Sequence, residues 1–238
     1  MRVSTRDVLA GLLVEALDDP VTAAVVRCLA AYGQACESEP HTRVVDELLL
    51  SAEPFELADK ELIRQRLQEC ALLSSDEQEA GQVNLASTFV SEWREIRPTL
   101  TQYATALDDW SAGSEQSRLD VVLRKGIVLF NHKLFFEVHE VLEPEWMQEY
   151  GDVKSFLQGL IQIAVAFYHL GRRNLDGARS LLHDGLLKII PHSPVFLGIE
   201  LRDFIAGLEV CGQTLARLSP DTLDQFQTDR IPRMQRVV

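Results

Sequence analysis

The sequence predicts an all-α fold, a helical bundle made of two helical modules joined by a short linker. Three observations carry this. Apolar residues recur at the i, i+3, i+4, i+7 spacing through most of the chain, the signature of helices that bury one face. No segment shows the strict apolar/polar alternation of a half-buried strand. Short breaks rich in Gly, Pro and Ser separate the periodic stretches, as in helical hairpins joined by tight turns.

Taken in order, Ser4 or Thr5 can cap a first helix whose stripe is Val8, Leu9, Leu12, Leu13 and Leu17, and Asp18-Asp19-Pro20 ends it. A second helix, rich in Ala and Val, covers residues 22–35. After the break Glu39-Pro40-His41, a third covers 42–50, followed by a turn at Ser51-Ala52-Glu53-Pro54. Residues 58–73 read as a fourth helix, apolar at Leu62, Leu67, Ala71 and Leu72. Ser74-Ser75-Asp76 can cap a fifth, residues 83–96 form another that Pro98 halts, and 99–110 continue helically.

Ser111-Ala112-Gly113-Ser114-Glu115 has the small, polar composition of a linker. It divides the chain into an acidic N-terminal module, 1–112, and a second bundle, 113–238. The second module opens with a helix over 117–130 and has central helices over 135–146 and 156–170. A turn from Gly171 to Gly177 leads to a helix over 178–190. Pro191 and Pro194 bracket a break, 195–218 reads as a long final helix, and 219–238 as a tail. No internal repeat is evident in the residues.

Composition narrows the class. An apolar content of 46% and a charged content of 25% are those of a globular protein with a real core. Cys28, Cys36, Cys70 and Cys211 show no CxxC pairing, so free thiols in a reducing cytoplasm are expected rather than a disulfide framework or zinc knuckle. No apolar run reaches the length of a membrane span, and the N-terminus lacks the features of a signal peptide. Net charge is −13, and its distribution is uneven. Residues 1–115 hold 9 Lys+Arg against 21 Asp+Glu, and residues 116–238 hold 14 against 15. Such acidity repels phosphate backbones, so nucleic acid is not an expected partner.

The chemistry concentrates between Gly126 and Leu187. On a helix over 135–146, Phe135, Val138, Leu142 and Trp146 form one stripe, and His139 and Glu143 fall on the same side one turn apart. Glu140 flanks that stripe and Glu137 points roughly the opposite way. On the next helix, Gln158, Gln162 and His169 line one face. If the two faces meet, the bundle contains a buried polar seam of His139, Glu140, Glu143, Gln158, Gln162 and His169. Pro144 should kink or restart the helix beside it.

These stretches carry a family resemblance. Leu129-Phe130-Asn131, then Phe136-Glu137-Val138-His139-Glu140-Val141-Leu142-Glu143 with Trp146, resemble the signature of the DUF309 family. Phe156 through Gln162 and Asn174-Leu175-Asp176-Gly177-Ala178 resemble its later blocks. His132-Lys133 departs from the pattern, where Gly is more usual after Asn131. The resemblance covers about half of the chain and implies a compact all-α bundle of bacterial or archaeal type with no established activity. Ahead of residue 115 nothing resembles it.

Two functional classes follow. In the first, the chain is a non-catalytic interaction or scaffold protein without a cofactor, and the polar seam sets the register of the helices and lines one pocket for another protein or a small molecule. In the second, His139, Glu143 and His169 hold a divalent metal, and a metal-dependent hydrolase uses His139 and Glu143. The His-Glu-x-x-Glu string resembles a metalloprotease helix but has Glu where the second His should be. Arg179 and His183, one turn apart, resemble the Arg/His pairs of helical ribonucleases; the acidity of the chain argues for surface residues instead. Arg172-Arg173 reads as a solvated turn, Gly159 as a point of close helix contact, and His41, His132 and His192 as exposed residues near turns.

Overall fold

Helix starts at Ser4, Asp19, Ser117 and Asn174 coincide with side chains that satisfy free backbone N–H groups. In the computed structural model, which describes residues 4–51, 60–75, 81–110 and 117–237, the Ser4 hydroxyl accepts from Asp7 N and caps α1 (Thr5–Ala16). The Asp19 carboxylate accepts from Val21 N and Thr22 N at the head of α2 (Pro20–Ala35). Asp18-Asp19-Pro20 therefore does two things at once: it ends one helix and, with Pro20 in the first turn, starts the next. The chain divides into two compact units, Met1–Ser111 and Ala112–Val238.

In the first unit, α2 is the central helix, packed against α1, α4 (Lys60–Glu69) and α5 (Trp93–Asp109). That position explains its composition, since small Ala residues and Val fit where several neighbours crowd one cylinder. A short α3 (Val45–Ser51) follows β1 (Arg43–Val44). Two further strands, β2 (Leu73–Ser75) and β3 (Gln82–Leu85), complete a three-stranded antiparallel sheet in the order β1-β3-β2. The residues predicted no strand. These are two to four residues long, too short for an alternating pattern to show. Part of the predicted third helix, the end of the fourth and the start of the helix over 83–96 thus become sheet, followed by a 3-10 segment over Ser87–Glu92.

Pro98 does not halt a helix. It lies inside α5, exposed, while Trp93, Ile96, Leu100, Tyr103, Ala106 and Leu107 continue one buried stripe across it. Burial of that stripe outweighs the one hydrogen bond that proline removes. The linker at 111–115, most of the turn at 51–54, the start of the fourth helix at 58 and the cap at Asp76 lie outside the described residues.

The second unit is built from two helical hairpins. The first joins α6 (Arg118–Asn131) to α7 (Phe135–Gln148), and the second joins α8 (Gly151–Gly171) to α9 (Leu175–Ile189). Their turns are the same object forty residues apart. Lys133 at φ 61° and Arg173 at φ 60° occupy the left-handed region. Lys133 N donates to Phe130 O and Leu134 N to Leu129 O; Arg173 N donates to Leu170 O and Asn174 N to His169 O. Both are Schellman closures. The side chains at the two turns differ, so the repetition lives in the backbone and escapes a reading of residue types. It also explains the Lys133 departure: the position calls for a positive φ, which is why Gly is at home there.

Gly159 and Gly185 bring α8 and α9 together. A Cβ on Gly185 would stand 2.8 Å from Gly159 O, and one on Gly159 would stand 3.0 Å from Gly185 O. The close helix contact expected at Gly159 is present. The long helix predicted over 195–218 is instead a strand pair, β4 (Val195–Phe196) and β5 (Ile199–Glu200), before α10 (Arg202–Arg217). Leu197 and Gly198 turn the chain at positive φ, and the Glu200 carboxylate accepts from Arg202 N and Asp203 N at the head of α10. The tail is ordered into two 3-10 segments and β6 (Gln235–Arg236), which pairs with β5. Phe130 is the hub of the core, in edge-on contact with Phe135, Phe167 and Phe204. No helix of the described residues is long and apolar enough to cross a membrane.

Candidate functional site

The site begins with the burial of α7. Phe135, Glu137, Val138, Val141, Leu142 and Glu145 are its buried residues. At about 100° per residue these fill one continuous arc of roughly 160°, as expected for a helix held between α6 and α8. His139 and Glu143 lie just beyond one edge of that arc, and Glu140 lies on the open side. Their side chains are 28%, 37% and 40% exposed. The face expected to be dry is therefore the half-exposed border.

His139 is engaged at both ring nitrogens. Nδ1 lies 3.0 Å from Glu140 Oε1 and Nε2 lies 3.4 Å from Glu143 Oε2. A carboxylate only accepts, so the Glu140 contact is a hydrogen bond when Nδ1 carries a proton, while the Glu143 contact is an attraction between charges when the ring is protonated. Phe136 stacks at a tilt against His139, 6.2 Å between ring centres, and against Tyr168 of α8 at 5.3 Å. The cluster is thus confined to one helix, with an aromatic wall beside it.

The α8 side of the predicted seam is distributed differently. Gln162 is half-buried, and its Oε1 is buried with no hydrogen-bond partner; Gln158 is half-buried. His169 is engaged at the other hairpin, where Asn174 Nδ2 meets its Nδ1 at 3.1 Å. That same Asn174 caps α9, accepting from Gly177 N through Oδ1. A side chain at Gly177 would stand 2.6 Å from the Asn174 amide, which accounts for Asn and Gly three residues apart. Asn174 and His169 close a turn, so His169 does not join His139 and Glu143. Among the described residues, no three His, Cys, Asp or Glu side chains are grouped as metal ligands. Pro144 breaks nothing: α7 runs on through Gln148, whose side-chain amide donates to Pro144 O at 2.9 Å.

The deeply buried charges are others. Glu137, placed by the sequence on the opposite side, is fully buried, and Lys125 of α6 is 7% exposed; neither is without a partner. Glu145 is likewise buried, and Arg118 Nε lies 2.8 Å from its Oε2. That oxygen has no properly angled hydrogen bond, so the contact is an attraction between charges rather than a directed bond. Trp146 resembles neither case: Lys154 Nζ sits 5.0 Å above its ring, while its indole N–H is buried without an acceptor. Val141 was the signal for the true orientation. Including it in the apolar stripe rotates the buried centre away from His139.

Other singled-out residues take structural work. Arg179 donates to Leu215 O at 2.8 Å and Leu218 O at 2.7 Å, capping the C-terminal carbonyls of α10, whereas His183 is exposed. Arg173 pairs with Asp224 at 2.7 Å. Asn131 clasps the tail, donating to Met234 O at 3.0 Å and accepting from Met234 N at 2.8 Å. His192, expected to be exposed, is half-buried against Phe196, 4.3 Å between ring centres. All four cysteines are free; burial pushes the Cys28 thiol up to about 12 and Cys211 up to about 11, which keeps those two out of thiolate chemistry. In the first unit, Cys36 Sγ lies 3.7 Å from His41 Nε2, but the thiol side chain is fully buried.

The second unit is therefore an α-helical bundle of repeated hairpins with a half-exposed His/Glu cluster on its second helix. Its residues 123–181 match the family model described as Domain of unknown function (DUF309). The match runs from α6 into α9 and contains every residue of the predicted seam; no family match falls in the N-terminal half. A stretch of 53 residues is 40% identical to "Uncharacterized protein YpuF" of Bacillus subtilis (strain 168), covering 22% of this chain and 30% of that protein.

Proposed function

We propose that the chain is a non-catalytic helical binding or scaffold protein, with His139, Glu140 and Glu143 forming a half-exposed acidic patch on its second unit. The observation that supports this reading is their mutual engagement. Each ring nitrogen of His139 faces a carboxylate of its own helix. A histidine acting as general base needs one ring nitrogen free to reach a substrate, and here both nitrogens face carboxylates. The partner that fits this patch is another protein or a small molecule carrying a cation or a hydrogen-bond donor. A cytoplasmic setting belongs to the same proposal and draws on the free thiols.

The test is metal content by mass spectrometry, with melting curves, on wild type, His139→Ala and Glu143→Gln. The binding reading expects metal-free protein whose melting is unchanged by chelator. It also expects both variants to fold and to melt within a few degrees of wild type. Near-stoichiometric metal in wild type, lost from both variants, overturns it in favour of a metal-dependent hydrolase built on His139 and Glu143.

A further inference from the structure

The first unit carries a cavity of about 400 Å³ between α1, α2 and α4. Val8, Leu12 and Val25 give it an apolar wall, and Asp7, Glu15 and Glu69 bring three carboxylates to it against the single guanidinium of Arg66. That Arg66 is itself only 4.0 Å from Glu15, so the lining retains an excess of negative charge. Asp7, Gly11 and Glu15 are spaced by four along one edge of α1, an edge about 12 Å long at the rise of a helix. The trough is thus open, two turns long, apolar at its wall and acidic along its edge.

Gly11 stands in the middle of that edge. It is exposed within α1, and a Cβ built on it meets nothing within 4 Å. Glycine is a poor helix residue, and among the described residues no neighbour requires its lack of a side chain. What the missing side chain does is deepen the trough.

We propose that this trough is the docking site for a short basic amphipathic segment of a partner protein, an apolar side chain entering beside Gly11 with flanking Lys or Arg along Asp7, Glu15 and Glu69. The volume fits one or two large side chains rather than a whole buried helix, and laying an amphipathic face into such a groove is a standard mode of peptide capture. Charge complementarity selects the sign of the partner. The acidic excess of residues 1–115 adds long-range attraction for a cationic segment. The inference extends the reading of the chain as a binding protein to a named surface and partner chemistry. It rests on residues other than the His139 cluster, so the two can fail separately.

Random 12-residue peptides displayed on phage are panned against the immobilised full chain, with soluble Gly11→Leu protein as counter-selector. The expected pool pairs large apolar residues at helical spacing with Lys or Arg. A fluorescein-labelled member of it, followed by anisotropy, should lose at least tenfold in affinity for Gly11→Leu and severalfold for Glu15→Gln/Glu69→Gln. Its affinity for Glu209→Gln, a charge removed from the second unit, should be unchanged, and added salt should weaken it. The double Gln variant keeps the test decisive if Gly11→Leu melts low. Absence of enrichment, enrichment of neutral or acidic peptides, or equal binding to the trough variants overturns the proposal. Competition by phenethylammonium at the peptide's own affinity overturns the peptide as occupant. None of these outcomes bears on the metal content or melting of the His139 and Glu143 variants.

Discussion

Glu137 and His139 sit two residues apart on α7 and belong to different physical regimes. The first is fully buried and partnered; the second lies at the solvent border, 28% exposed. Removing one member of a buried charged interaction leaves the other uncompensated and costs on the order of 3 kcal/mol, whereas exposed pairs contribute roughly 0–1 kcal/mol. Urea unfolding should therefore show Glu137→Ala losing about 3 kcal/mol and His139→Ala less than about 1 kcal/mol. Equal losses would mean that the border cluster holds α7 in place as strongly as the buried carboxylate does. The sequence revealed which residues carry charge on this helix but not which face is dry. A stripe drawn through Phe135, Val138, Leu142 and Trp146 brings His139 and Glu143 inward; Val141 and the two-sided packing of α7 draw Glu137 and Glu145 inward instead. An ionisable residue inside a buried arc reads as an exposed one until both neighbouring helices are known.

At the scale of elements, the helices were legible because burial at a 3.6-residue period repeats over many positions. The strands were not, because two to four residues show no period at all. Close contacts were half legible: Gly159 signalled a crossing, but its counterpart Gly185 shows itself only when α9 lies across α8. Gly185→Ala would place a Cβ 2.7 Å from Ile163 Cγ1 and 2.8 Å from Gly159 O. Backbone cannot yield as a side-chain tip can, so the expected cost is about 1–3 kcal/mol, against the small gain alanine gives in a free helix. A variant as stable as wild type would show that α8 and α9 can slide apart.

The cap of α2 gives a pH-dependent case. Hydrogen bonds from the Thr22 hydroxyl and the Thr22 and Val21 amides hold the Asp19 carboxyl below its ordinary value. A folded value below the unfolded one means that the contribution is present above the unfolded pKa and is lost as pH falls through the folded one. Asp19→Ala should cost about 1 kcal/mol near neutrality, and the gap from wild type should close progressively below the ordinary aspartate range. A gap that persists in strong acid would point to packing of the side chain rather than its charge.

Across the whole molecule, the two units differ most in charge. Residues 1–115 carry 21 acidic against 9 basic side chains and residues 116–238 carry 15 against 14, so self-repulsion acts almost entirely on the first. Raising ionic strength from about 0.01 M to about 0.15 M shortens the screening length from about 30 Å to about 8 Å. Two effects then compete in the first unit. Surface pairs such as Arg27–Asp108, at 3.0 Å, lose strength, while the repulsion among the surplus carboxylates is relieved. The pairs contribute little individually, and acids outnumber bases 21 to 9 over residues 1–115, so relief should win. Hydrogen exchange read by mass spectrometry should show protection in α1, α2 and α5 rising with salt, while α7, α8 and α9 change little. If protection in the first unit falls instead, its ion pairs outweigh its excess charge, and the same excess could not be the force that draws a cationic segment to the trough beside Gly11.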